Sequence, residues 1–263
     1  MTEMNGYAAH QFSWADLMTT DADGAKEFYS GLFGWDVRDT PMPQGGSYTQ
    51  FYLRGRNVCG CGEMNAEQQK EKVPPVWTSY VNVDNVDATA KHITEHGGRL
   101  VMPPMDVMAE GRMCVFADPT GAMLGLWQPK KHLGAGLYNE PGAFCWFELM
   151  TRDVEGAKKF YGSVFGWRYK DSATGDSPYS EIEVSPDVWV GGMMPVPPSL
   201  DVPNAWTPYF AVTDARASAK KAGVLGGTVL KEPTDIERVG TFAVISDPQG
   251  AVFDLLEYHP IPR

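Results

Sequence analysis

The chain is poor in cysteine and in positive charge, and it contains no long apolar run. Only Cys59, Cys61, Cys114 and Cys145 occur in 263 residues, too few for a disulfide-stapled scaffold. Cys59 and Cys61 are the one tempting pair; on a strand both sulfurs face one side, which suits a packed position better than a two-ligand metal site. With 22 Lys and Arg against 33 Asp and Glu the net charge is -11, and no basic stripe is present. Nucleic acid is excluded as a partner, because the phosphate backbone is bound by clustered cations that release counterions. No segment approaches the roughly 20 apolar residues that span a bilayer. The opening MTEMNGYAAHQFSW lacks the basic flank and apolar run of a leader. A cytoplasmic location with no membrane partner is expected. G-x-S-x-G, a Cys–His pair and a phosphate-cradling glycine loop are also missing, and Gly97-Gly98 and Gly226-Gly227 read as helix stops, so nucleophilic catalysis has no visible candidate.

What the chain does contain is a second copy of itself. WADLMTTDADGAKEFYSGLFGW, from Trp14 to Trp35, returns as WFELMTRDVEGAKKFYGSVFGW, from Trp146 to Trp167, 132 positions later. VPPVWTSYVNVDNVDATAK from Val73 returns as VPNAWTPYFAVTDARASAK from Val202, and DPTGAMLGLW from Asp118 as DPQGAVFDLL from Asp247, both 129 positions later. Two units of about 130 residues account for nearly the whole chain. The boundary falls in the polar, glycine-rich PKKHLGAGLYNEPGA (Pro129 to Ala143), which predicts domains over 1–131 and 141–263 joined by a linker at 132–140, each able to bury its own core. Because none of the four cysteines has a Cys at the matching place in the other copy, a duplicated zinc site is not expected.

Within each copy the periodicities repeat a short order. A strand over 11–19 leads to a helix in which Ala25, Phe28, Tyr29 and Leu32 recur at helical spacing, stopped at Gly34. Strands follow over 35–39, 47–53 and 58–64, with Arg54 to Asn57 as a hairpin turn. Beyond Pro74-Pro75 the order recurs: strand 77–83, helix 86–95, then strands near 99–102, 112–117 and 122–128. Each copy therefore reads as two β-α-β-β-β modules in an α+β layout, helices on one face of a mixed sheet. Met102 and Met105, beside prolines, are read as loop residues.

The patterns D-x-x-x-A-x-x-F-Y-x-x-x-F-G-W after the first strand and D-P-x-G-A before the last resemble those of the vicinal oxygen chelate superfamily of glyoxalase I, bleomycin resistance proteins and extradiol dioxygenases. The tandem form, with W-x-[DE]-L-M-T opening each copy, is similar to two-domain actinobacterial proteins labelled hydroxylase or glyoxalase-like. The resemblance covers essentially the whole chain. It implies sheets that curl around a cleft, and, in the enzymes, a divalent metal held there by His, Gln or Glu of the first and last strands of the modules. Carried over residue by residue, those positions fall on Trp14 and Trp146, Thr78 and Thr207, and Gly125 and Asp254. The remaining position has Glu63 as its nearest candidate, with Met193 as its partner in the other copy. An indole offers a metal no lone pair, and a catalytic site needs at least three converging donors. No metal ligands and no cofactor are therefore expected.

Strand alternation points Asp16 and Glu148 into the same clefts, two residues beyond the tryptophans. With Asp254 they are the weak catalytic candidates, either as an acid–base pair or as ligands of a hard cation; the alternative is that they accept hydrogen bonds from backbone or tyrosine neighbours. The expected ligand-binding faces carry Trp14, Asp16, Thr78, Tyr80 and Trp127 in the first copy, with Met18 and Met123, and Trp146, Glu148, Thr207, Tyr209 and Asp254 in the second, with Met150 and Leu256. Flat aromatic rings and adaptable methionines suit a planar organic compound. The expected function is thus metal-independent binding of a small aromatic molecule, in resistance, sequestration or support of a partner tailoring enzyme. The rival is a glyoxalase-like lyase or an oxygenase with an atypical carboxylate-bound metal.

Overall fold

The structure is a computed structural model that describes residues 3–42, 45–174, 177–237 and 239–259; the ends of the expected domains, at 1 and 263, lie outside them. The first copy opens with β1 (Phe12–Thr19), α1 (Ala22–Phe33), β2 (Asp36–Pro41), β3 (Ser47–Leu53) and β4 (Arg56–Glu63). After α2 (Ala66–Lys70) come β5 (Val76–Asn82), α3 (Val86–Glu95), β6 (Arg99–Val107), β7 (Gly111–Ala117) and β8 (Met123–Pro129). The second copy repeats the order as β9 (Phe144–Thr151), α4 (Val154–Phe165), β10 (Arg168–Thr174), β11 (Ser177–Ser185) and β12 (Val188–Pro195), then β13 (Ala205–Ala211), α5 (Ala215–Val224), β14 (Thr228–Ile236), β15 (Gly240–Ser246) and β16 (Val252–Tyr258).

Each copy forms its own eight-stranded mixed sheet, in the order β2-β3-β4-β1-β5-β8-β7-β6 and its equivalent β10-β11-β12-β9-β13-β16-β15-β14. The two modules of a copy meet where the opening strands pair antiparallel, β1 with β5 and β9 with β13, while each opening strand runs parallel to the last strand of its own module. The α+β reading and the curled tandem layout follow from this arrangement. Helix α1 starts where the Asp21 carboxylate accepts from Gly24 N at 2.9 Å and stops at Gly34, whose φ of 73° is the left-handed turn that glycine adopts without a Cβ clash.

Two local readings are corrected. Strand β6 extends to Val107 through Pro103 and Pro104, so Met102 and Met105 lie on a strand. It is an edge strand with register shifts, the one place in a sheet where missing N–H donors cost no ladder bond. Helix α2 was not expected, although its signal is present: Asn65 and Gln68 form a reciprocal capping box.

The core also departs from the expectation of one per copy. A single buried cluster runs through both sheets, joined where Phe12 stacks on Phe147 at 4.2 Å and Phe33 and Trp77 meet Phe210 at 5.2 and 5.4 Å. Helix α1 packs beside α5 and α3 beside α4, so helices of one copy lie against those of the other. The indoles of the two F-G-W motifs complete the seam, Trp35 donating to Gly142 O at 2.7 Å and Trp167 to His10 O at 2.9 Å. The sheets therefore meet back to back through their helix-bearing faces, and the opposite faces are left to form the clefts.

Candidate functional site

The cleft faces follow from register. In β1 the residues Trp14, Asp16 and Met18 alternate with Ala15, Leu17 and Thr19, and β5 sets Tyr80 opposite Trp14 and Thr78 opposite Asp16. In the second copy Tyr209 lies opposite Trp146, Thr207 opposite Glu148, and Asp254 beside Tyr209. All ten residues expected at the clefts thus sit on these faces, five to a copy, with Trp127 beside Asn82 at the end of the first.

Each cleft carries the same polar chain. In the first, Trp14 Nε1 donates to the Tyr48 hydroxyl at 3.1 Å, and the hydroxyls of Tyr48 and Tyr80 approach the two oxygens of Asp16 at 3.5 and 3.4 Å. In the second, Trp146 Nε1 donates to the Tyr179 hydroxyl at 2.8 Å, and Tyr209 donates to Glu148 at 2.9 Å. The extra methylene of Glu148 carries its carboxylate to the Tyr209 hydroxyl, where the shorter Asp16 only approaches that of Tyr80. Tyr48 and Tyr179 were absent from the expected sites. Their signal is the glycine beneath each: Gly60 lies in register with Asp16 and Gly192 with Glu148, and a Cβ at either would collide with the tyrosine hydroxyl above it.

Burial sets the electrostatics. Desolvation pushes the Asp16 carboxyl up to about 7, against the pull of its two tyrosine partners, and raises Glu148 for the same reason. Asp254 is 4% exposed, and its pKa is raised well above the ordinary carboxylate value by burial and by the neighbouring Glu148 charge. Its Oδ1 finds no hydrogen-bond partner among the described residues. The matching first-copy position is Gly125, where a Cβ would run into the ring of Tyr80.

The two clefts differ in cover. His132, which follows β8, wedges against Trp14 at 4.3 Å and Trp127 at 5.4 Å, both edge to face, while the Trp127 indole donates to His132 O at 2.9 Å. Asn57 Nδ2 lies 3.4 Å from His132 Nδ1, Nε2 is buried without a partner among the described residues, and desolvation lowers the imidazole to about 4. At the other end Gln68 of α2 donates to Met18 Sδ at 3.2 Å. Trp14 is consequently 3% exposed. No helix stands between β12 and β13, and Trp146 is half-buried where Trp14 is buried, while Asp16, Met18 and Thr78 are half-buried like their counterparts Glu148, Met150 and Thr207.

Comparison with known proteins settles the family. Residues 11–126 match the profile of the Glyoxalase/Bleomycin resistance protein/Dioxygenase superfamily, and residues 146–256 that of a glyoxalase-like domain. The candidate glyoxylase CFP32 of Mycobacterium tuberculosis is 42% identical over 261 residues, 99% of each chain. The chain belongs to the glyoxalase/bleomycin resistance/dioxygenase superfamily. The anthracycline biosynthesis protein DnrV of Streptomyces peucetius is 34% identical over 270 residues, covering 97% of this chain and 95% of its own. Among solved structures, the 2,3-dioxygenase LapB of Pseudomonas sp. KL28 aligns with a TM-score of 0.66 at 14% identity over 98% of this chain and 96% of its own. The Mn(II)-bound glyoxalase of Novosphingobium aromaticivorans aligns at 0.63 and 16% over 97% and 86%. These two share the fold.

The superfamily's enzymes raise the question of a metal, and the donor set here does not fit one. Among the described residues no three His, Cys, Asp or Glu side chains converge. Glu63, the remaining ligand candidate, is in register with Thr19 and Met193 with Leu149, so both point away from the cleft faces, where Gly60, Gly62, Gly192 and Met194 stand instead. Where a cation would need lone pairs, both copies present indole N–H groups and phenols already committed to a carboxylate.

Proposed function

We propose that this superfamily member is a metal-independent small-molecule binder that takes a planar aromatic compound against Trp146 in the second cleft, and that it serves sequestration, resistance or a partner enzyme tailoring aromatic natural products. The observation that carries the reading is the half-buried Trp146, held by its bond to Tyr179 beside the carboxyls of Glu148 and Asp254. A fixed indole face offers stacking area at little entropic cost, and a few convergent polar groups orient what stacks on it. The relatives named for anthracycline biosynthesis, DnrV and DauV of Streptomyces, match along 95% of their length and support an accessory role in such tailoring. Four cysteines that are all buried and unpaired agree with a reducing, cytoplasmic setting.

Tryptophan-fluorescence titration with fused-ring aromatics tests the reading, together with elemental mass spectrometry of protein purified without chelator. Saturable quenching that Trp146→Leu weakens about tenfold, with metal far below one per chain, supports it. A tightly held metal at about one per chain, lost in Asp254→Ala, overturns it in favour of a lyase or oxygenase.

A further inference from the structure

In the second cleft the half-buried Glu148 carboxyl acts electrostatically on the buried Asp254, and the two are not equally provided for. Glu148 receives the phenolic proton of Tyr209 at 2.9 Å and neighbours Tyr179, whose hydroxyl accepts from Trp146. A carboxyl that accepts a hydrogen bond holds negative charge more readily than one that accepts none. Asp254 sits on β16 beside Tyr209, with Val244 as its other neighbour in the sheet, and the described residues supply no donor to its Oδ1. When two interacting carboxyls hold one proton, it resides on the more deeply buried one that lacks a donor.

We propose that Asp254 is a neutral carboxylic acid that donates its O–H to a carbonyl oxygen of the ligand, so that the second cleft selects planar aromatic ketones and quinones over hydrocarbons of the same shape. The proposal rests on the aromatic-binding reading above and names its ligand class. A buried donor without a partner is costly, and a carbonyl oxygen seated on it removes that cost, whereas a plain ring edge leaves it in place. The first copy cannot make this choice. Gly125 takes the matching position because the Tyr80 ring occupies the space of any side chain there, and His132 already lies on Trp14. One selective site per chain follows.

The test compares anthraquinone-2-sulfonate with anthracene-2-sulfonate, two probes of like outline that differ in the quinone oxygens. Each is titrated against the full chain by tryptophan quenching and calorimetry at pH 7, with near-ultraviolet circular dichroism confirming the fold of every variant. The wild type is expected to bind one quinone per chain and to prefer it about tenfold. Asp254→Asn, which keeps a donor and a carbonyl but can never ionise, retains the preference, and Asp254→Leu abolishes it. Equal binding of both probes by the wild type, or loss of preference in Asp254→Asn, overturns the donor assignment while leaving aromatic binding in place. Binding of neither probe overturns both.

Discussion

The hydroxyl of Tyr29 in the first copy donates to the Asp247 carboxylate in the second at 2.9 Å, and the equivalent Tyr161 reaches back to Asp118 at 3.0 Å. Each tyrosine also receives an indole N–H from its own copy, from Trp77 at 2.9 Å and Trp206 at 2.8 Å. Each aspartate uses its other oxygen to hold its own turn: Asp247 Oδ1 accepts from the backbone N–H groups of Gln249, Gly250 and Ala251, and Asp118 Oδ1 from those of Thr120 and Ala122. The F-Y and D-P-x-G motifs are thus the two halves of a reciprocal clamp between the copies.

Tyr29→Phe leaves the Trp77 N–H and the Asp247 Oδ2 buried without their partner. A loss of about 1–3 kcal/mol is expected, with a similar loss for Tyr161→Phe, and the two add because the clamps share no residue. Denaturant unfolding of the single and double variants measures it; a double variant no worse than either single one speaks against two independent clamps.

The continuous core makes the halves interdependent. Separately expressed 1–131 and 141–263 each expose the Phe12, Phe33 and Trp77 face or the Phe147 and Phe210 face. They are expected to lack cooperative unfolding alone and to regain it on mixing, as circular dichroism and size-exclusion chromatography would show.

Asp16 and His132 act on stability in opposite pH directions. Asp16 is raised to about 7, so its neutral form favours the fold at low pH, and that contribution is lost as pH rises from about 4 through 7. Asp16→Asn should gain about 1–2 kcal/mol over wild type at pH 8, partial exposure allowed for, and nothing at pH 4. His132 is lowered to about 4, so its contribution is present above its ordinary 6.5 and lost as pH falls through 4. His132→Phe should therefore flatten the acid limb of a Tm-against-pH profile while Asp16→Asn flattens the limb between 4 and 7.

All four thiols are buried, and burial pushes Cys61 and Cys145 up to about 12 and Cys114 to about 11. Ellman's reagent at pH 8 should label none of them in the folded protein and four in denaturant. Rapid labelling of the folded chain at Cys59 or Cys61 would show that the α1 face of the sheet opens readily.

Much of the site was legible because strand alternation is local. Once Trp14 and Trp146 were set on opening strands, Asp16, Thr78, Tyr80 and their counterparts had to share their face, and they do. Tyr48 and Tyr179 were not legible in that way. Nothing in their own segments distinguishes them from other strand tyrosines; they matter because parallel pairing brings Gly60 and Gly192 beside the opening strand and leaves room for a hydroxyl above each. His132 was assigned to a linker by composition, and it fills the first cleft because the chain must pass that cleft on its way from β8 to β9.

By itself the sequence determined the duplication, the β-α-β-β-β order of each module and the alternation that separates cleft face from packed face, because these depend on spacing between near neighbours in the chain. Only the tertiary structure decided that the copies share one core, that Tyr29 and Tyr161 clamp the opposite copy, and that His132 covers Trp14 while Trp146 stays half-buried above the buried Asp254. Those outcomes hang on contacts between residues a hundred or more positions apart, made by side chains whose identity is compatible with many other places in a sheet.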